Sequence, residues 1–180
     1  MKDILIVVDM QKGFARYDQT IELTRKIADL LDRKVFDCVI ATRFLNDSQS
    51  IYEKLFDWHR LKNAEDQEIA PKIKKHIDYI FDKYVYNCVN ASFIQKLCQI
   101  NDGVYPEKIY VVGADTDCCV LTIATSLFEN NIRPIVLSQY CDSNGGPESN
   151  KAGLLCMKRL IGEKQIIDKE INCKADLEEI

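Results

Sequence analysis

Histidine is scarce in this chain. There are two, His59 and His76, in 180 residues. Neither lies at a metal-ligand spacing from a carboxylate or a cysteine, so no metal is expected. A basic face and an Arg-rich arm are also missing, and the formal net charge is −4. That argues against a nucleic-acid partner. Lys72-Ile73-Lys74-Lys75 is a short basic cluster, but Glu65, Asp66 and Glu68 precede it, so it reads as a solvated helix face. No apolar run is long enough to cross a membrane. No signal peptide is read at the start, where Met1-Lys2-Asp3 leads straight into a strand. The expectation is a cytoplasmic protein with no membrane partner. Ser143-Asn144-Gly145-Gly146 lacks the Lys-Ser/Thr of a phosphate cradle, which disfavours nucleotide binding, and no cofactor is expected. There is no internal repeat and no low-complexity linker, so one domain over residues 1–180 is expected.

Cysteine and aliphatic residues are plentiful. The eight cysteines are 38, 88, 98, 118, 119, 141, 156 and 173. Several sit inside apolar runs, such as Cys38 in Phe36-Asp37-Cys38-Val39-Ile40, and read as small buried hydrophobes in a reducing compartment. Ile4-Leu5-Ile6-Val7-Val8 is continuously apolar and ends at Asp9. Such a run marks a strand buried on both faces. Cys38–Ala41, Tyr79–Phe81, Ile109–Val112, Pro134–Leu137 and Gln165–Ile167 are read as five further strands. Helical spacing relates Leu23, Ile27, Leu30 and Leu31, and then Phe93, Leu97 and Ile100. Helices are also read over 120–130 and 147–161, the latter closed by Gly162. Residues 44–71 are irregular, with room for short helices, and long for a plain connection. The alternation predicts an α/β fold, a three-layer α-β-α sandwich around a mainly parallel six-stranded, Rossmann-like sheet.

Reactive groups in such sheets gather at the carboxyl ends of strands. Asp9 ends strand one, Lys83 follows strand three, and Cys119 follows strand four. Thr116-Asp117-Cys118-Cys119-Val120 stands where a strand turns into a helix. A thiol in a first helical turn is expected to favour thiolate and so to act as a nucleophile. Cys118, its neighbour, is expected to face away from it. A carboxylate at Asp9 can take the thiol proton and return it to a leaving amine. An ammonium at Lys83 would hold both charges. Each residue alone also has a plain structural reading: a buried cysteine, a turn-capping aspartate and an exposed lysine.

Three segments together resemble the isochorismatase-like cysteine hydrolases, which include nicotinamidases and N-carbamoylsarcosine and ureidoacrylate amidohydrolases. Ile4 to Gln11, with Asp9 before Met10-Gln11 and Phe14 shortly after, resembles the family's opening strand. Asp82-Lys83-Tyr84 followed by Ala91-Ser92-Phe93 resembles its lysine segment, with a longer spacing to the Phe. Val112 to Val120 resembles the nucleophile motif. The resemblance implies a Cys119, Asp9 and Lys83 triad and a cis peptide between Ala114 and Asp115. It also implies an oxyanion hole from the backbone N–H groups of Asp115 and Cys119, and a dimer or tetramer. The nicotinamidase metal site would need an Asp-x-His pair after strand two, where this chain has Phe44 and Asn46. Phe14, Phe44, Trp58 and Tyr86 are candidate walls of a substrate pocket. The reading is a metal-independent cysteine hydrolase that cleaves an amide or ureido bond of a small molecule through a thioester. The alternatives are an isochorismatase-type vinyl ether hydrolase, and a non-catalytic binding or redox module built on the Cys118–Cys119 pair.

Overall fold

The computed structural model describes residues 1–180. Strand β1 is Ile4–Val8, and every residue in it is buried. A five-residue run without a polar side chain is stable only in a sheet covered on both faces. Strands β2 (Cys38–Phe44), β3 (Tyr79–Lys83), β4 (Lys108–Gly113), β5 (Arg133–Cys141) and β6 (Ile166–Ile167) complete that sheet. The order is β3-β2-β1-β4-β5-β6, and every pairing is parallel. The expected sandwich is present.

Strand alternation splits the core in two. Ile4, Ile6 and Val8 point to one face with Ile109 and Val111. Helices α5 (Ala91–Ile100), α6 (Leu121–Glu129) and α7 (Pro147–Ile161) cover it with Phe93, Leu97, Ile123, Leu127 and Met157. Leu5, Val7, Tyr110 and Val112 point the other way. There α1 (Asp18–Asp32) supplies Leu23, Ile27, Leu30 and Leu31, joined by Ile73 of α4 (Pro71–Lys74) and Leu177 of α8 (Lys174–Glu178).

The irregular stretch between β2 and β3 holds α2 (Ile51–Phe56), α3 (Ala64–Gln67) and α4. It has its own small core of Phe44, Tyr52 and Leu61, against which Phe14 and Trp58 pack. Gln11 ties this layer to the sheet. Its side-chain amide donates to the Phe44 carbonyl at 2.9 Å and accepts from the Phe44 N–H at 2.7 Å.

Several boundaries differ from the sequence reading: β3 runs on to Lys83 and β5 to Cys141. Strand β2 runs three residues further, through Thr42, Arg43 and Phe44, because these pair with Phe81, Asp82 and Lys83. After β4 the chain does not enter an α-helix at once. Thr116–Val120 forms a wider π-type turn before α6. Helix α7 packs hard on that turn: a Cβ on Gly153 would stand 2.7 Å from the Asp117 Cα.

Candidate active site

The strand order reverses direction of growth between β1 and its two neighbours β2 and β4, so a crevice opens at their carboxyl ends. Asp9 leaves β1 with φ 50°, a left-handed turn that swings its carboxylate across the sheet edge. Cys119 enters from the turn after β4. Lys83 is the last residue of β3, two strands from β1, and its long side chain spans the end of β2.

The three side chains meet. Lys83 Nζ lies 2.7 Å from Asp9 Oδ2 and 3.3 Å from Cys119 Sγ. It also donates to the Val85 carbonyl at 3.2 Å and stands 5.0 Å from the centroid of the Phe44 ring. Asp9, Lys83 and Cys119 are 0, 3 and 4 % exposed. Buried charges of this kind need exact partners. Thr42 Oγ1 supplies one more, donating to Asp9 Oδ1 at 2.6 Å while accepting from the Asp9 N–H at 3.1 Å. Thr42 was not singled out in the sequence, where the strand beside β1 was read only as far as Ala41. Asp9 Oδ2 forms the ion pair with Lys83 at 2.7 Å. The same carboxylate acts on the Cys119 thiol, so it is placed to exchange a proton with it.

The electrostatics revise one expectation. Burial pushes the Cys119 thiol well above its ordinary range, and the Asp9 charge adds to this, while Lys83 opposes it. This favours the thiol form of Cys119 over a preformed thiolate. The reason is that desolvation outweighs a single irregular turn of backbone dipole. Burial works against the charge on Lys83, but the Asp9 carboxylate holds its pKa above the usual lysine value.

The Ala114–Asp115 peptide is cis. The Asp115 N–H donates to no backbone or side-chain group of the protein. The Asp115 carboxyl is fixed through Oδ1, which accepts from the N–H and the side-chain amide of Asn144, both at 2.8 Å. The turn is further braced by Ser143, which donates to Asp117 at 2.6 Å.

A cavity of about 160 Å³ opens onto Cys119. Phe14, Phe44, Trp58 and Tyr86 all border it, with Tyr52, Phe56, Asp115 and Cys118. The rings hold one another: Phe14 and Trp58 stack at 6.1 Å, and Tyr52 meets Phe44 and Tyr86 edge-on at 5.1 Å each. Tyr52 and Phe56 were missed, because two aromatic residues in an irregular stretch carry no periodic signal. Cys118 was expected to face away. It borders the same cavity as Cys119, since the π-type turn spaces its residues differently from an α-helix. All eight cysteines are free thiols.

The residues at the nicotinamidase metal position do not fit a metal. Phe44 offers only a ring. The Asn46 amide is spent on the carbonyls of Trp58 and Arg60 and on the Glu53 carboxylate, and its oxygen accepts from Ser50. His59 is exposed and divides its two ring nitrogens between Glu53 and Asp57.

Comparison with solved structures gives the same fold at low identity. The yeast nicotinamidase is 21 % identical with a TM-score of 0.75, over 93 % of this chain and 100 % of that one. An isochorismatase-like hydrolase from Alkaliphilus metalliredigens is 16 % identical with a TM-score of 0.74, over 89 % and 92 %. The pyrazinamidase of Pyrococcus horikoshii, solved in complex with zinc, is 19 % identical with a TM-score of 0.72, over 89 % and 97 %. Comparison with curated protein sequences returned no match. The family model for the isochorismatase domain matches residues 3–164, a span that takes in Asp9, Lys83 and Cys119, and the chain belongs to the isochorismatase family.

Proposed function

We propose that this protein is a metal-independent cysteine hydrolase that cleaves a C–N bond in a small amide or ureido compound. One observation carries the reading: a buried thiol, ammonium and carboxylate in contact, 3.3 and 2.7 Å apart, at the floor of a cavity. Asp9 Oδ2 takes the Cys119 proton as the sulfur attacks the carbonyl carbon. Lys83 then faces a carboxylic acid and a forming C–S bond, and keeps the charge balanced. The Asp115 and Cys119 N–H groups receive the oxyanion, where each such donor is worth about 3 kcal/mol. Collapse breaks the C–N bond, and the amine leaves with the proton from Asp9. Water, losing its proton to the same carboxylate, hydrolyses the thioester and restores the thiol. A cytoplasmic location and assembly into a dimer or tetramer belong to the same reading.

The test is ammonia or amine release from a panel of small carboxamides and ureido acids. Release by the parent protein and its loss in Cys119→Ala support the proposal. Turnover of a vinyl ether that survives Cys119→Ala would favour the isochorismatase-type reaction instead, because vinyl ether cleavage needs no acyl-enzyme.

A further inference from the structure

Asp115 is the one acidic residue, and indeed the one charged residue, bordering the aromatic cavity. Its Oδ1 is committed to Asn144, but its Oδ2 has no hydrogen-bond or ion-pair partner in the protein. Burial pushes this carboxyl up to about 6, and the charges of Asp117 and Asp9 push the same way against the Asn144 bonds. Near neutral pH it is therefore mostly ionised at a cost. The Lys83 ammonium is already bound to Asp9 and Cys119. Arg16 and Arg60 line a second cleft that Asp115 also borders. Arg16 is paired with Asp66 at 2.7 Å, and neither guanidinium bonds Asp115.

A free carboxylate here has a second consequence. It belongs to the residue whose own N–H would receive the oxyanion. Negative charge then accumulates beside fixed negative charge, which works against a neutral substrate. A cation on the substrate removes that conflict. The cavity suits one in a second way: six aromatic rings line it, and ring faces attract cations most strongly where water is excluded. Its volume of about 160 Å³ matches a single six-membered ring, given that a cavity of about 150 Å³ holds benzene.

We propose that this cavity selects small amides carrying an organic cation, of the pyridinium or quaternary ammonium class, with the Asp115 carboxylate as counter-charge and the surrounding rings as a cage. The proposal rests on the amide-hydrolase reading of the same site and makes Asp115 its specificity-determining residue.

The probes are 1-methyl-3-carbamoylpyridinium and its neutral isostere 3-methylbenzamide. Calorimetric titration of the Cys119→Ala protein measures binding with no turnover. The cation binds roughly tenfold more tightly, and its advantage shrinks as salt is raised. Asp115→Asn in the same background brings the two affinities together. Equal or tighter binding of the neutral probe, no binding of either, or an advantage unchanged by Asp115→Asn would overturn the proposal. If Asp115→Asn fails to fold, the affinity ratio and salt dependence in Cys119→Ala alone decide. Failure of the underlying reading looks different: the cation preference persists, yet the parent protein releases no ammonia from any amide.

Discussion

Lys83 pairs with the Asp9 carboxylate in a site sealed from water. Replacing its side chain leaves that buried carboxyl without its ion-pair partner. Lys83→Met should therefore lower stability by about 3–5 kcal/mol, the usual cost of orphaning one member of a buried pair. A denaturant midpoint read beside the parent's checks this; an unchanged midpoint would mean that the pair does not hold the fold. Asp115 gives the opposite sign. Its carboxyl is raised to about 6 from an ordinary value of 3.8, so the folded state binds this proton more tightly than the unfolded chain does. Stability from this group is highest below pH 4 and is lost as pH rises through 6. Asp115→Asn should raise the melting temperature at pH 8, with the gain fading between pH 6 and pH 4. A gain independent of pH would show that the carboxyl is not desolvated. At this scale Asp9, Lys83 and Cys119 were legible, since each ends or follows a recognisable strand. Thr42 and Asn144 were not. Their roles come from contacts with Asp9 and Asp115 across 33 and 29 residues, which no local pattern records.

The turn between β4 and α6 carries Cys119, and its shape is fixed from outside. Ser143 holds Asp117 from one side, and Gly153 of α7 lets the helix backbone close against the other. Gly153→Ala should cost about 1–3 kcal/mol through overpacking, offset slightly by better helix propensity. Because the displaced atom is the Asp117 Cα, hydrolytic turnover should fall further than stability alone explains. Thermal melts and turnover measured on the same preparation separate the two. Full turnover would mean that the turn tolerates displacement. The strands were legible because β1, β4 and β5 are nearly unbroken apolar runs. The π-type turn was not, since five residues are too few to show a period. The thiolate expectation failed for another reason: burial of Cys119 raises its thiol, and burial is not written in the local pattern.

Seen whole, the molecule leaves apolar side chains bare on α2 and on the segment after β3, which both border its cavity. Leu55 is 85 % and Phe56 69 % exposed at the end of α2. Tyr86, whose ring meets Tyr52 of the same helix at 5.1 Å, stands beside them with Tyr84 and Val85 also exposed. A surface of this kind fits the proposed homo-oligomer. Sedimentation equilibrium should return a multiple of 20.7 kDa, and Leu55→Asp should shift it toward the single chain. A monomer at all concentrations would remove assembly from the account. The all-parallel sheet was legible from alternation alone, whereas this part of the cavity wall was not. It is built by α2 and the segment after β3, and nothing local in either stretch announces that they meet. The central claim is that Cys119, activated by Asp9, forms an acyl-thioester. Brief exposure to p-nitrophenyl acetate, acid quench and peptide mass mapping test it most directly, with no knowledge of the natural substrate. The account predicts acetyl on Cys119 and its loss in Asp9→Asn; acetyl confined to the exposed Cys156 and Cys173, with Cys119 unmodified, would contradict it.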